Sequence, residues 1–134
     1  MAEVLITGGA GFIGSHTCLM LLQAGHRLVV LDSFATSNPA SLGRVLELAG
    51  GDASERLTVI EGDLRQPASL ERAFSAMAGR CDAVIHFAGL KAVAQSVQQP
   101  LLYWDVNVGG STQLLRAMAR NNCHTLVFSS SATV

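Results

Sequence analysis

Charged residues are scarce in this sequence, and neither sign of charge predominates. Lysine, arginine, aspartate and glutamate make up 14% of the 134 residues, and the formal net charge is −1. Because nucleic-acid binding depends on clustered basic side chains, this scattered balance argues against a nucleic-acid partner. Hydrophobic residues reach 49%. That combination is typical of an α/β protein whose strands are covered on both faces.

Cysteine is also rare, and long apolar runs are missing. The three cysteines are Cys18, Cys81 and Cys123, with no C-x-x-C pair and no histidine at metal-ligand spacing. An odd number without such spacing predicts free thiols in a reducing compartment and no metal site. No apolar run approaches the length of a membrane span, and no basic segment precedes the first strand as in a signal peptide. We therefore expect a cytoplasmic protein without membrane association.

The clearest pattern that is present lies in the first 15 residues. An apolar strand at 4–6 runs into glycines at Gly8, Gly11 and Gly14, and an apolar helical pattern follows at once. Glycine lets a backbone approach a diphosphate closely, and the start of a helix offers unpaired N–H groups and positive dipole charge. The arrangement predicts a dinucleotide-binding site. The alternative is an ordinary glycine-rich turn between a strand and a helix.

The second strand ends in an acidic residue at a distance that suits such a site. The apolar run 28–31 is continuous, as in a buried parallel strand, and Asp32 follows it, roughly 20 residues beyond Gly14. A carboxylate there accepts hydrogen bonds from both ribose hydroxyls of an adenosine and repels a 2′-phosphate, so it favours NAD over NADP. The alternative is an aspartate that ends the strand and faces solvent.

The rest of the chain alternates between helical and strand patterns. The first helix is predicted to end at Gly25 and to place these residues on one face: Ile13, Thr17, Met20, Leu21 and Ala24. The later elements are expected to be a loop at 33–42, a helix at 43–49, a strand at 57–60, a helix from Pro67, a strand at 83–87, a helix at 101–120 and a strand at 125–128. This order predicts one domain, 1–134, with a doubly wound parallel sheet of five strands.

Three features of the later segments bear on function, and the first two leave alternatives open. His86, inside an apolar strand, is interpreted as a satisfied core histidine rather than a base or ligand. Gly109 and Gly110 lie within the long helical pattern, and either close approach to a ligand or neighbouring helix, or a weak, bent turn, would explain them. The hydroxyls at 129–131 follow a strand expected to be central, where open α/β sheets place their chemistry.

Four stretches carry a more particular pattern. They are T-G-G-A-G-F-I-G-S-H at 7–16, E-G-D at 61–63, V-I-H-F-A-G-L-K-A-V at 84–93 and F-S-S-S-A-T-V at 128–134. In these stretches the sequence resembles the UDP-glucose 4-epimerases of the extended short-chain dehydrogenase/reductase family. The resemblance runs the length of the chain but covers only the N-terminal part of such an enzyme.

The resemblance implies a Rossmann fold, tightly held NAD and a UDP-sugar substrate. Such an enzyme interconverts UDP-glucose and UDP-galactose by removing a hydride from C4 and returning it to the other face. The complete enzyme would be a homodimer. Its catalysis uses a hydroxyl residue, which Ser131 matches, and a Tyr-x-x-x-Lys pair. The implied cofactor-binding residues are Gly8, Gly11, Phe12, Ile13, Gly14, Asp32, Ser33, Phe34, Ala35, Thr36, Ser37, Asp63, Leu64, Phe87, Ala88, Gly89, Lys91 and Asn107.

The individual roles are likewise implied by position in the family. Asp63 and Leu64 match the adenine site, although from the residues alone Asp63 reads as a turn residue. Lys91, which alone would read as a solvated charge, matches a lysine that binds ribose hydroxyls. Val106 stands where these enzymes have a further asparagine, which removes one expected cofactor contact.

The Tyr-x-x-x-Lys pair is missing from the sequence. Its one tyrosine is Tyr103, and Asn107 stands where the lysine would be. The sixth strand, the helix that carries the pair and the UDP-sugar domain are also missing. We therefore expect the chain alone to be inactive and its long helix to expose an apolar face. Two alternatives are a non-catalytic NAD-binding module and another sugar-nucleotide epimerase or dehydratase.

Overall fold

The computed structural model describes residues 1–35, 37–77, 79–87 and 98–129. They form a five-stranded sheet in the order β3-β2-β1-β4-β5, and every ladder is parallel. The strands are β1 (Glu3–Thr7), β2 (Arg27–Asp32), β3 (Leu57–Glu61), β4 (Ala83–His86) and β5 (Leu126–Phe128). The predicted doubly wound parallel sheet of five strands is confirmed.

Helices cover both faces of this sheet. They are α1 (Phe12–Gln23), α2 (Ala40–Ala49), α3 (Ala53–Arg56), α4 (Pro67–Ser75), α5 (Pro100–Trp104) and α6 (Gly110–Arg120), with a π turn at Asp105–Gly109 between the last two. None of these described helices is long and apolar enough to cross a membrane. The described residues also contain no cluster of three or more histidine, cysteine or acidic side chains that could hold a metal ion.

Two apolar cores form because successive strand residues point to opposite faces of the sheet. Leu5 of β1 faces α4 and α6, where it belongs to one cluster with Leu70 and Leu114. Its neighbours Val4 and Ile6 face the other way and belong to the cluster formed with α1, α2 and α3. Burying each large aliphatic side chain contributes about 1.5–3 kcal/mol. The central strand β1 is therefore fixed from both sides.

The predicted face of α1 is not the one that the helix buries. Gly14, Cys18 and Leu22 point into the core, while Ile13 and Met20 are 58% and 70% exposed. The prediction is wrong because apolar residues occur all around this helix, so hydrophobic periodicity alone does not select a face. The small residues Gly14 and Cys18 instead let the helix lie close to the sheet.

The end of α1 follows the prediction. Gly25 has φ +91°, the left-handed conformation that glycine adopts most readily. Its N–H donates to the Leu22 carbonyl, and the N–H of His26 donates to the Leu21 carbonyl. This pair of bonds is the Schellman motif, which satisfies carbonyls left free at a helix end.

The second helix begins earlier than the sequence predicts. α2 starts at Ala40, within the segment expected to be a loop. The Asn38 side-chain oxygen accepts a hydrogen bond from the Ala40 N–H, and Pro39 precedes the helix. The polar and proline residues that indicated a loop thus lead directly into the helix. The one-turn helix α3 was not predicted.

The long helical pattern is present, but a π turn interrupts its regular α-helical hydrogen bonding. α5, the π turn and α6 follow one another without a break from Pro100 to Arg120. At Gly110 a Cβ would lie 3.1 Å from the Cβ of Leu64, so the helix touches the segment after β3 there. The irregular turn offered for the glycine pair is therefore confirmed, whereas the close approach at Gly110 is to a turn and not to the neighbouring helix that was expected.

Two surfaces of the described chain leave apolar side chains exposed. Leu101, Trp104, Val108 and Leu115 are exposed on the long helical segment, which confirms the expected apolar face. β5 is the edge of the described sheet rather than a central strand, and its three residues are exposed. The expectation that 129–131 follow a central strand is therefore wrong for the described part of the chain.

Candidate functional site

The glycine turn joins the end of β1 to the start of α1. Gly8 has φ +72°, and its N–H donates to the Leu31 carbonyl of β2 over 2.9 Å. A Cβ on Gly14 would lie 2.3 Å from the Gly8 carbonyl oxygen, closer than any real contact. A side chain at position 14 is thus excluded, and the first turn of α1 packs directly on the glycine turn.

Not every glycine in the turn is required by packing. A Cβ on Gly9 would press on Val30 at 2.8 Å, so that position faces β2. At Gly11 the nearest described atom would be the Gly8 oxygen at 3.4 Å, an ordinary contact, and the backbone is extended at φ −71°. The fold itself therefore does not require glycine at 11. The space left open there is a cradle that a Cβ would partly fill.

The start of α1 offers N–H groups beside this cradle. Gly11 is the N-cap residue and has no side chain that could accept from the free N–H groups of the first turn. The side chains of Phe12 and Ile13 are exposed, Phe12 by 82%. Free amide hydrogens and the positive end of the helix dipole attract an anionic group such as a diphosphate.

Asp32 stands beside the glycine turn, at the end of β2. Its carboxylate is buried, with the residue 9% exposed, and Oδ2 accepts a hydrogen bond from the Ala10 N–H over 3.0 Å. Oδ1 accepts from the Phe34 N–H at 2.8 Å and from the Ser37 hydroxyl at 3.1 Å. The carboxylate is thus held between the glycine turn and the loop after β2. Three of the roughly four acceptor sites of a carboxylate are thus occupied, and one remains on Oδ2 for a ribose hydroxyl.

The loop after β2 is organised around this carboxylate. Phe34 has a positive φ of 58°, and the Ala35 N–H points to the Ser33 hydroxyl at 3.4 Å. The loop is therefore turned back toward Asp32. Thr36, which the resemblance places in the same site, lies outside the described residues.

Asp63, after β3, is engaged by an arginine that the sequence did not single out. Both carboxylate oxygens of Asp63 accept hydrogen bonds from the Arg65 guanidinium, and the Arg65 backbone N–H donates to Oδ1 over 2.9 Å. The guanidinium holds the pKa of Asp63 below its usual range. Arg65 also reaches Asp105 of the π turn at 2.9 Å. The neighbouring Leu64 is buried.

A chain of hydrogen-bonded polar groups, buried at Thr7 and His86 and partly buried at Ser111, lies at the ends of β1 and β4. His86 is 3% exposed; its Nδ1 is hydrogen-bonded to the Thr7 hydroxyl and its Nε2 to the Ser111 hydroxyl at 3.0 Å. The Ser111 hydroxyl also donates to the Asn107 carbonyl over 2.6 Å. The interpretation of His86 as a satisfied core histidine is therefore confirmed. Periodicity identified the histidine as buried but gave no sign of Ser111.

The structure brings most of the predicted site residues to one edge of the sheet. Their elements are the turns and loops after β1, β2, β3 and β4 together with the π turn that contains Asn107. Phe87 is tied to this edge by its N–H, which donates to the Thr7 carbonyl. This is the carboxyl edge, where open parallel sheets bind their ligands. The predicted residues Ala88, Gly89, Lys91 and Ser131 lie outside the described residues.

The fold and this edge define a class of nucleotide-binding protein, and comparison with known sequences gives its family. Residues 4–134 match the model of the NAD dependent epimerase/dehydratase family, and the chain belongs to that family. Among its relatives is UDP-glucose 4-epimerase 4 of Oryza sativa subsp. japonica, 55% identical over 131 residues, which span 98% of this chain and 35% of the relative. UDP-glucose 4-epimerase 2 of Arabidopsis thaliana is 54% identical, over 98% of this chain and 37% of the relative.

Solved structures of similar proteins agree with the fold. The UDP-glucose 4-epimerase of Stenotrophomonas maltophila, solved with NAD and formylated UDP-arabinopyranose, matches with a TM-score of 0.89 and 41% identity over 100% of this chain and 38% of that one. The enzyme of Bifidobacterium longum, in complex with NAD+ and UDP, also has a TM-score of 0.89, with 42% identity over 98% of this chain and 38% of that one. The chain therefore spans little more than a third of the length of the relatives it matches.

Proposed function

We propose that residues 1–134 are the NAD-binding Rossmann domain of a UDP-glucose 4-epimerase. The observation that carries the proposal is the hydrogen bond from the Ala10 N–H to Asp32. It joins the glycine turn, which suits a diphosphate, to a buried carboxylate, which suits a ribose, at the distance expected for one dinucleotide. The relatives named above support NAD as that dinucleotide, because two of them were solved with it.

The geometry of the glycine turn and of Asp32 supports the proposed sites for the diphosphate and the ribose. Gly8, Gly11 and Gly14, with the start of α1 at Phe12 and Ile13, would hold the diphosphate through backbone N–H groups and the helix dipole. Asp32 would accept from a ribose hydroxyl at its remaining acceptor site, with the loop 33–37 beside it. A 2′-phosphate would be repelled by this carboxylate, so NAD is proposed over NADP.

The remaining cofactor contacts lie farther along the same edge. Asp63 and Leu64 would border the adenine. For Asp63 this requires the adenine amino group to share a carboxylate that Arg65 already engages. On the nicotinamide side we propose Asn107 of the π turn with Phe87, Ala88, Gly89 and Lys91 after β4.

The proposed activity of the whole protein is the interconversion of UDP-glucose and UDP-galactose. Bound NAD supplies the capacity to take a hydride from the sugar and to return it. Ser131 would orient the sugar oxygen, but the chain has a single tyrosine, Tyr103, without a lysine four residues later. The 134-residue chain alone is therefore proposed to bind NAD without epimerising the sugar. We propose that the complete protein is a cytoplasmic homodimer.

Isothermal titration calorimetry of the purified chain tests the cofactor proposal. Saturable binding of NAD, weaker binding of NADP and loss of NAD affinity in Asp32→Asn are expected. Asp52→Asn is the matched control, because it removes the same charge from an exposed carboxylate that contacts only Arg56 among the described residues. A folded wild-type chain that binds neither nucleotide, or an Asp32→Asn variant that binds NAD like Asp52→Asn, would overturn the proposal. UDP-galactose epimerisation by the 134-residue chain would contradict its proposed inactivity.

A further inference from the structure

We propose that Ser111 and His86 are positioning residues for the dinucleotide, acting through Asn107 and the two strand ends rather than by touching the ligand. The inference rests on the proposed function and adds two residues to it. The observation behind it is the hydrogen-bonded chain, buried at its start and partly buried beyond, that runs from Thr7 through His86 and Ser111 to the Asn107 carbonyl.

The directions of these hydrogen bonds follow from the number of hydrogens available. A serine hydroxyl has one hydrogen, and Ser111 gives it to the Asn107 carbonyl at 2.6 Å. Ser111 must then accept from His86, which places the imidazole hydrogen on Nε2. In a neutral imidazole Nδ1 then accepts from the Thr7 hydroxyl.

Three members of this chain either adjoin a residue proposed to hold the cofactor or are one themselves. Thr7 immediately precedes Gly8, and His86 immediately precedes Phe87. At the other end is Asn107 itself, in the π turn. Three separate segments proposed to bind the cofactor are therefore joined to one another by a single hydrogen-bonded connection.

The π turn explains why the hydrogen bond from Ser111 would affect the position of Asn107. A π turn replaces the regular hydrogen-bond ladder of a helix and occurs often at functional sites. A serine hydroxyl that bonds the carbonyl four residues earlier competes with the ladder and bends the helix. Ser111 makes this bond to Asn107 and is in turn held by His86. The position of Asn107 relative to the sheet therefore depends on Ser111.

The next residue of the same helix offers a matched control. The Thr112 hydroxyl donates to the Val108 carbonyl over 2.9 Å, the same bond to a residue four positions earlier, but it is exposed. Ser111→Ala and Thr112→Ala thus delete equivalent hydroxyls, of which Ser111 is the one that contacts the histidine. We expect Ser111→Ala to weaken NAD binding about three- to tenfold, the effect of one hydrogen bond. Thr112→Ala is expected to change it less than twofold, and Ser111→Thr, which keeps the hydroxyl, to restore most of the affinity.

A comparison with a variant that only destabilises the core distinguishes the positioning role of Ser111 from a merely structural one. Val45→Ala removes core volume on the opposite face of the sheet, where Val45 packs in the cluster with α1 and α2. It should lower the thermal midpoint without weakening NAD binding in the folded chain. If Ser111→Ala weakens NAD binding no more than Val45→Ala at equal loss of stability, the positioning role is overturned.

Nitrogen-15 NMR of the His86 ring provides a readout on the wild-type chain and does not depend on any variant folding. The Nε2–H tautomer is expected, with ring resonances that shift when NAD is added. A ring that is Nδ1-protonated, or insensitive to NAD that binds, overturns the inference and leaves the proposed function standing. Failure of the folded wild type to bind NAD defeats both, so the two failures are distinguishable.

Discussion

Replacing Gly14 by alanine should unfold the chain at a lower denaturant concentration, although alanine normally favours a helix. The added Cβ would lie 2.3 Å from the Gly8 carbonyl oxygen and 2.9 Å from the Gly9 Cα. Both atoms belong to the backbone of the glycine turn, so no side-chain rotation relieves the contact. Overpacking of this kind destabilises by about 1–3 kcal/mol. The helix propensity gained by replacing glycine is about 1 kcal/mol.

The destabilisation by the clash should exceed the gain in helix propensity, because α1 must move away from the turn to accommodate the new atom. We expect a net loss of about 1 kcal/mol, which is the middle of the overpacking range less the gain in helix propensity, measured by urea denaturation followed by circular dichroism. Gly43→Ala in α2 is the control, since a Cβ there meets no described atom within 4 Å and φ is not positive. That variant should gain up to about 1 kcal/mol. If Gly14→Ala is as stable as wild type, the close packing of α1 on the turn is wrong.

Two further predictions concern titratable groups. Because Arg65 lowers the pKa of Asp63 from its ordinary value of 3.8, the pair stabilises the fold above that pH and the stabilisation is lost as the pH falls through the folded-state pKa. The stability difference between wild type and Asp63→Asn should therefore shrink below pH 4 in urea titrations; a constant difference would contradict this. Burial raises the pKa of the Cys18 and Cys81 thiols to about 12. At pH 8 both should resist iodoacetamide until urea unfolds the chain, and rapid labelling of the native protein would show them to be accessible.

The parts of the fold that the sequence predicted are those with local signals. All five strands were predicted: the apolar runs of β1, β2, β4 and β5 are continuous, and that of β3 is interrupted only by Thr58. The glycine turn and Asp32 were predicted because a diphosphate and a ribose impose a known spacing. The buried face of α1 was predicted wrongly for the converse reason. With apolar residues on most of its faces, packing of Gly14 against the turn, and not periodicity, decides its orientation.

The contacts that the sequence did not predict join residues far apart in the chain. Arg65 meets Asp105 across 40 residues, and His86 meets Ser111 across 25. No local pattern marks either pair, because an arginine in a loop and a serine in a helix are both ordinary surface residues. The edge position of β5 was also beyond local reasoning, since strand order is a property of the assembled sheet.

The strand order also has a consequence for how the chain reaches its structure. The bond between Ala10 and Asp32 spans 22 residues, whereas Thr7 meets His86 across 79. Contacts between distant residues require more loop closure and slow the search for the folded state. We therefore expect the half of the sheet that contains β1, β2 and β3 to assemble first and β4 to dock later. The glycine turn and Asp32 lie in the early half, while the histidine that connects them to the π turn arrives with the late one.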